Sequence, residues 1–540
     1  MEASVDVRTS LAVSKGAVTA TELINLTNET GVPLPLEKGD NQVVIAGAAP
    51  CCSHNSTRAV QPLRRTLFET SEHMLIPYGL SLRFENGAQM GQSAMLTLQP
   101  NFRLTYGQII ALGGDFYGDP ARPICLEPTE DARKQQFARN YGSLVTSGAE
   151  VTTILGIAKK FEFDPIAAAI KQGRVPSGVY VQEGGEGWGL MSDSDRAYDR
   201  ATGGTDGGSF GRYVNIANTN FDHFGTDAVS AYLAGHTLAQ EMAVKAKSMP
   251  DAASRAIQLQ GAYAMNAFAD HFLTDLFAAG HIRTPRHALY DLAWTSATQA
   301  FAGLLAQRMH DEDNKFGVWV ENSLGDKWVA HGDKRYRDRP NSANRRMVKR
   351  TIQKSMDEVW EAFETQRVRV NDSAVPNYLP KLIWEIQREP TATIHRNDRR
   401  NWAPLFWRNP EDGNVWRRED LWNPADRTYG EYSAINPFKW GLSTTFGQIK
   451  LSGPPRMPDA EYTRAGLPVR PDEAGPSGEF GWPAGPTAVS GSVRSMRGAT
   501  GPNLRDMLPG DWKVDSAPAP DGQPDPNGPG IPNVPIITAD

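Results

Sequence analysis

The sequence predicts a mainly α protein: a helical-bundle domain, a smaller and partly β C-terminal region, and a disordered tail. Three observations predict it. Asp227 to Ser248, Ala252 to Ala279 and His287 to Met309 are rich in Ala, Leu, Gln and Met, hold few β-branched residues and no interior Pro, and are joined by short connections, as antiparallel helices of a bundle are. Beyond about Leu451 the chain runs through GPPRMPDA, GPSGEFGWPAGP and APAPDGQPDPNGPGIPNVP, which offers too little apolar surface to offset the entropy of ordering it. With 540 residues and only three cysteines, Cys51, Cys52 and Cys125, stability has to come from buried cores rather than from disulfides.

Residues 1–100 read as an irregular N-terminal region with short strands, in which LIPYGLSLRF and AMLTL flank the turn-like ENGAQMGQS. Residues 101–335 carry the main helices. LTYGQIIALGGDFYG, TEDARKQQFARNYGSLV and VTTILGIAKKF place apolar residues at three-and-four spacing, the mark of amphipathic helices, and the three long helices follow. Between them, Gly184 to Gly211 reads as a Gly-rich loop that lacks the GK[ST] of a phosphate-binding loop. Residues 336–450 open with one more helix, Ser342 to Thr365. They continue through Trp402, Trp407, Trp416, Trp422 and Trp440, interleaved with or preceded by Arg399, Arg400, Arg408, Arg417 and Arg418. Residues 451–540 form the tail.

Composition excludes several classes. No CxxC or Cys/His finger spacing is present, so zinc fingers are out. A formal charge of −6 disfavours non-specific binding of nucleic acid by the chain as a whole. No apolar run reaches the length of a spanning helix, and Met1 to Ala20 has neither the basic nor the apolar segment of an ordinary secretory signal.

Histidine is scarce, ten in the chain, yet six fall between His223 and His310. In HFLTDLFAAGH, His271 and Asp275 stand one helical turn apart, on one face with Cβ atoms about 5–6 Å apart, and Gly280 then ends the helix and turns His281 back. Two imidazoles and a carboxylate so placed can converge on a metal ion, although a lone His-x3-Asp is commonly just a helix pair. In NFDHFGTDA, Asp222 and His223 precede a long helix, with His223 and Asp227 again one turn apart. HDEDN sets His310 beside Asp311, Glu312 and Asp313 at a predicted helix C-terminus, where the dipole disfavours acids. A bound cation would remove the objection; a solvated helix end is the plain alternative. His236 lies about 220° around the helix from His223 and reads as a packed histidine, His287 as loop, and His331 and His395 as surface.

This order of segments resembles the bacterial zinc-dependent phospholipase C superfamily, which holds the alpha-toxins and the phosphatidylcholine-hydrolysing enzymes. HDEDN, GVWVEN and GDKWVAHGD look like its larger subgroup with an added C-terminal region. The resemblance covers roughly residues 100 to 335. DHF matches the HF segment that precedes a helix, and His271-x3-Asp275-x5-His281 matches in spacing and composition. It implies an α-helical zinc phospholipase C-like catalytic domain holding two or three Zn²⁺. By that resemblance His223, His271 and Asp275 would hold one zinc, Asp275 would bridge to a second, and His281 and His310 would hold a further ion. The family's last ligand, a Glu four residues after the late His, is here Asn314, so Glu312 or Asp313 must substitute, with Asp313 carried forward, or that site is altered. The early carboxylate is Asp115 in GGDFYG or Asp206 in GGTDGG, and Asp115 is favoured because it closes an apolar helical pattern. The family's N-terminal amine and nearby His have no counterpart at this start. His73 in TSEHMLIPYG is the convincing replacement, since His54 follows a Cys-Cys pair in a loop.

Adjacent ions about 3.5–4 Å apart clamp a phosphoryl group and lower the pKa of a shared water toward about 7, and His with carboxylate ligands suits Zn²⁺. The resemblance therefore implies hydrolysis of a glycerophospholipid, phosphatidylcholine-like, at the glycerol-side phosphodiester bond to diacylglycerol and a phosphorylated head group. Asp115 would also serve as general base. Asp222 or Asp270 would fix imidazole tautomers, a surface charge being the alternative for each. A lipid substrate implies peripheral membrane contact, for which the Trp/Arg region and the basic stretch Lys334 to Arg350 are candidates; core packing and a solvated helix face compete with that role. Secretion is expected, through a specialised system because no ordinary signal is visible, with a cytoplasmic location as the alternative. Neither nucleic acid nor an obligate protein partner is expected. Two other functions compete. A single-strand-specific zinc nuclease uses similar ligand logic, but the net charge and the longer gap to His281 stand against it. A non-catalytic, toxin-like membrane-binding module with a structural metal site is supported by Asn314.

Overall fold

The computed structural model describes residues 70–382, apart from 92, 100–101, 173–175, 177–178, 180–191, 206–208, 294–295, 339–340 and 370–371, together with 404–408, 414–418 and 432–434. The expectations for residues 1–69 with His54, for Asp206, His395, Arg399, Arg400, Trp402, Trp422 and Trp440, and for the tail lie outside the described residues. Within them helix dominates, and the mainly α class holds.

A short helix, α1 (Thr70–Leu75), leads into two antiparallel hairpins. These pair β1 (Ser81–Phe84) with β2 (Gly87–Met90), and β3 (Met95–Gln99) with β4 (Phe102–Thr105). Here the pairing differs from expectation. GAQM, read as turn, is itself a strand, because Gly87 with φ +121° opens it directly opposite Phe84, a conformation that costs glycine little. AMLTL then pairs forward with FRLT.

Thr105 starts α2 (Tyr106–Phe116): its hydroxyl oxygen accepts the Gln108 N–H while the Gln108 side chain accepts the Thr105 N–H, satisfying two otherwise orphaned donors. After α3 (Glu130–Val145), α4 (Gly148–Ala158) continues through a π-helical turn at Lys159–Phe163 into α5 (Asp164–Lys171). The segment read as a Gly-rich loop contains α6 (Asp193–Ala201), which a Ser192/Asp195 capping box nucleates between two glycine clusters. Then follow α7 (Arg212–Asn218) and the long hairpin α8 (Gly225–Lys247) and α9 (Ala252–Asp275). The helix expected from His287 is broken into α11 and α12: α10 (Ala279–Arg283) and α11 (Arg286–Asp291) precede α12 (Ser296–Phe316), and α13 (Ser342–Thr365) closes the bundle as expected.

The spine of the core is α8 against α9. Every residue of α9 from Ala262 to Asp275 is buried, as in a helix enclosed on all sides. The two helices approach closely because a Cβ at Gly235 would stand 2.7 Å from Ala269 Cβ and 2.1 Å from the Phe137 ring of α3. Val348, Ile352, Met356 and Val359 of α13 join the same cluster, as do Met74 of α1 and Leu82 of β1. One core therefore extends past both residue 100 and residue 335, where composition changes in the sequence.

Gly317, at φ +79°, ends α12, and the chain enters a small antiparallel sheet ordered β6-β5-β7, made of β5 (Val318–Glu321), β6 (Lys327–Ala330) and β7 (Lys381–Leu382). A second sheet, ordered β10-β9-β8, contains β8 (Phe406–Arg408), β9 (Val415–Arg418) and β10 (Tyr432–Ala434). Its Leu405, Phe406 and Val415 pack on Leu289 of α11 and on Leu305 and Met309 of α12. Trp407 is buried, so it packs in a core rather than lying at a lipid interface. Arg335, Arg337 and Arg345 of the basic stretch are likewise buried, and a solvated face does not describe them. Among the described residues no helix is long and apolar enough to cross a membrane.

Candidate metal centre

Where α2 crosses α9, two glycines decide the geometry. A Cβ at Gly113 would fall 2.6 Å from His271 Cβ, and one at Gly114 would fall 2.8 Å from His271 Cδ2 and 2.9 Å from His223 Cε1. Gly113 also leaves helical geometry, with φ −47° and ψ −122°, and the kink carries Asp115 toward the same imidazoles. Asp115 Oδ1 lies 3.9 Å from both His223 Nδ1 and His271 Nε2. His223 comes from the turn just before α8, while His271 and Asp275 come from the last turn of α9. Asp275 is the common neighbour: Oδ2 is 2.7 Å from His223 Nδ1 and 3.6 Å from His271 Nε2, and Oδ1 is 3.5 Å from His73 Nε2. His73, delivered by α1, completes a buried cluster of three imidazoles and two carboxylates.

A second group adjoins it. His281 follows α9 on α10, His310 lies on α12, and Asp333 sits in the loop after β6. His310 Nε2 is 2.8 Å and His281 Nε2 is 3.6 Å from Asp333 Oδ2. Gly280 permits the approach of α10 to α12, since a Cβ there would fall 2.5 Å from His310 Cδ2. Phe224 stacks on His281 with ring centroids 4.5 Å apart and planes 5° from parallel.

Backbone and hydroxyl groups fix the tautomers. His271 Nδ1–H donates to the Ile110 carbonyl at 2.8 Å, and His281 Nδ1–H donates to the His223 carbonyl at 2.7 Å. His73 Nδ1–H donates at 2.9 Å to Thr274 Oγ1, whose own proton goes to the His271 carbonyl. In each ring the Nε2 lone pair is left facing the carboxylates. Burial, then the neighbouring His271 and His281, holds His73 well below the ordinary imidazole range, and burial also lowers His281. Both are therefore neutral donors. For His310 burial alone would lower the pKa, but Asp333 and Asp311 outweigh it and push it up to about 9. Burial would raise Asp333, yet His310 and His281 hold it below the usual carboxylate range. A cation at this group would take the place of the His310 proton.

The donor set fits divalent metal. Three trios can each bring one ligand atom per residue within 4.8 Å of one another: His73, Asp115 and His271; His223, His271 and Asp275; and His281, His310 and Asp333. Buried polar atoms require partners, but His281 Nε2 and Asp333 Oδ1 have no hydrogen-bond partner among the described residues. These buried groups can hold metal ions.

Seven of the eight residues expected from the sequence, His73, Asp115, His223, His271, Asp275, His281 and His310, are thus brought together. Asp313 is not. Both of its oxygens accept bonds from Arg283, at 2.9 and 2.7 Å, so that ion pair, rather than a cation, answers the acid in α12. HDEDN occupies the C-terminal turns of α12, as expected, and the helix ends at Phe316. The residue missed is Asp333, 23 positions after His310 in sequence and with no local spacing to flag it. Its neighbourhood did carry a signal, HGD immediately after the strand KWVA. Asn314 stands in the group without taking a carboxylate's part: its oxygen accepts the Gly280 N–H at 2.5 Å, and its amide donates to Asp333 Oδ2 at 3.0 Å.

Other expectations need correction. Asp222 accepts the Ile124 and Cys125 N–H groups, and Asp270 accepts from Tyr106 and Ser355, so neither carboxylate orients a ligand imidazole. His331 is fully buried rather than on the surface, and His287 lies on α11 between Asp227 and Asp291. His236 is packed as expected, bonded to Asn266 and Glu358. Comparison of the chain with protein-family models, with curated proteins and with solved structures returns no match.

Proposed function

We propose that the chain is a zinc-dependent phosphodiester hydrolase of the phospholipase C type, with a catalytic fold of that kind. The observation that carries this reading is the convergence of His73, Asp115, His223, His271, Asp275, His281 and His310, drawn from six separate elements, on two adjoining buried groups. Structural zinc needs four ligands in one closed shell. Two adjoining groups that share a wall instead suit paired ions acting on one substrate.

Imidazole and carboxylate donors favour Zn²⁺ among the common divalent ions. His73, Asp115, His223, His271 and Asp275 would hold one or two ions, and His281, His310 and Asp333 a further one. When bound, such ions neutralise phosphoryl oxygens and make a water acidic enough to act near neutral pH. The residues do the rest. Asp115, a member of one trio of the first group and 3.9 Å from His223 of the other, holds the proton of the attacking water. The water oxygen bonds to phosphorus as the bond to the glycerol oxygen breaks, and that oxygen takes up a proton to leave as diacylglycerol. The fixed tautomers of His73, His271 and His281 keep the lone pairs aimed without rearrangement during the reaction.

The substrate in this reading is a glycerophospholipid with a phosphatidylcholine-like head group, met at a membrane outside the producing cell. Purified protein should release diacylglycerol and phosphocholine from phosphatidylcholine vesicles, should lose that activity on chelation, and should leave single-stranded DNA intact. Chelator-sensitive nucleotide release in place of lipid products would make it a nuclease. Metal-loaded protein inert on both substrates would make it a binding module.

A further inference from the structure

The two metal-binding groups are joined through a residue that belongs to neither. Asp333 is the one acid of the His281/His310 group, and it sits in the loop between β6 and α13. That loop is anchored on both sides. Before Asp333, the His331 N–H donates to Asn341 Oδ1 at 3.0 Å, and the His331 carbonyl accepts from Asn344 at 3.2 Å. After it, Lys334 turns the chain at φ +67°, a left-handed conformation that a Lys adopts only when its surroundings impose it. The reversal aims the N–H groups of Lys334 and Tyr336 at one point, the arrangement that forms an anion-binding nest. The anion there is Glu72, buried, with Oε2 accepting the Lys334 N–H at 2.9 Å and Oε1 accepting the Tyr336 N–H at 2.9 Å.

Glu72 precedes His73 on α1, whose start is itself tied down where Glu162 accepts the Ser71 N–H at 2.8 Å. One short helix therefore places His73 beside Asp275 and, through the next side chain, fixes the backbone that carries Asp333. We infer that Glu72 is a positioning residue for the second metal group, setting Asp333 against His281 and His310 and holding the two groups in register. The inference rests on the metal-centre reading above.

The test is zinc titration of the full chain, with Co²⁺ as a spectroscopic probe of coordination, for wild type, Glu72→Gln and Glu72→Asp. Glu72→Gln keeps the shape but turns an N–H₂ toward one backbone N–H; Glu72→Asp is one methylene too short to reach both. Each should weaken one ion about tenfold or more, the range of supporting residues around metal ligands, change the Co²⁺ absorption of that ion, and leave the binding of the others as in wild type. Wild type that binds no metal overturns the metal-centre reading itself. Wild type that binds metal while both Glu72 variants match it in affinity and Co²⁺ spectrum overturns the positioning role alone, and so does equal weakening of every ion.

Discussion

Asp275→Asn is expected to reduce lipid hydrolysis to the level of chelator-treated wild type while leaving the helical circular-dichroism signal intact. The carboxylate lies within 2.7 to 3.6 Å of nitrogens of His223, His73 and His271, three ligands of the first group delivered by three separate elements. Asparagine keeps the volume but removes the charge that pairs with a divalent ion, and its amide hydrogens donate to the imidazole lone pairs that would otherwise face the ion. A metal supplies several kcal/mol of charge stabilisation in the transition state, so its loss should cost roughly three powers of ten in rate. The fold should not follow. A buried carboxylate without a cation is costly, and the variant should melt near or above chelated wild type, though below the metal-loaded protein. Activity within a few-fold of wild type would remove Asp275 from the centre of the account.

Asp333→Asn should remove one ion per chain and lower activity by about 10²–10³-fold, the range for losing one preorganised charge-stabilising group, with the first group still loaded. The same substitution has a pH signature in chelated protein. His310 is raised from 6.5 to about 9 in the fold, burial opposing and Asp333 prevailing. A group bound more tightly to its proton in the folded state stabilises the fold fully below its unfolded pKa, and that stability is lost as pH rises through the folded value. Chelated wild type should therefore lose stability between about pH 6.5 and 9, and Asp333→Asn should flatten that slope. Unfolding curves across the range together with metal counts check both parts. An unchanged ion count in the variant would return the last-ligand role to another residue.

Much of the fold was legible because its helices announce themselves. Ser342 to Thr365 and the helix from Ala252 carry strong periodicity or composition, and local propensity there agrees with packing. The misreadings fall where a few residues override the pattern. Gly87 made GAQM look like turn, and glycine clusters on either side hid the capped helix Asp193–Ala201. In the centre, His271, Asp275 and His281 were readable from spacing along one stretch, since helical geometry fixes which side chains share a face. Asp333 and Glu72 were not, because their positions depend on a left-handed turn at Lys334 and on α1 docking beside a loop more than two hundred and fifty residues away. Asp313 misled for a related reason: proximity in sequence to His310 says nothing about Arg283, which claims it from another helix.

Elemental analysis of the protein as isolated, without added metal, bears most directly on the claim that these imidazoles and acids are a metal centre. Two or three zinc per chain, released by chelator together with a fall in melting temperature, is the predicted result. A chain that carries no divalent metal, takes none up on incubation with Zn²⁺, and melts at the same temperature with and without chelator would contradict it.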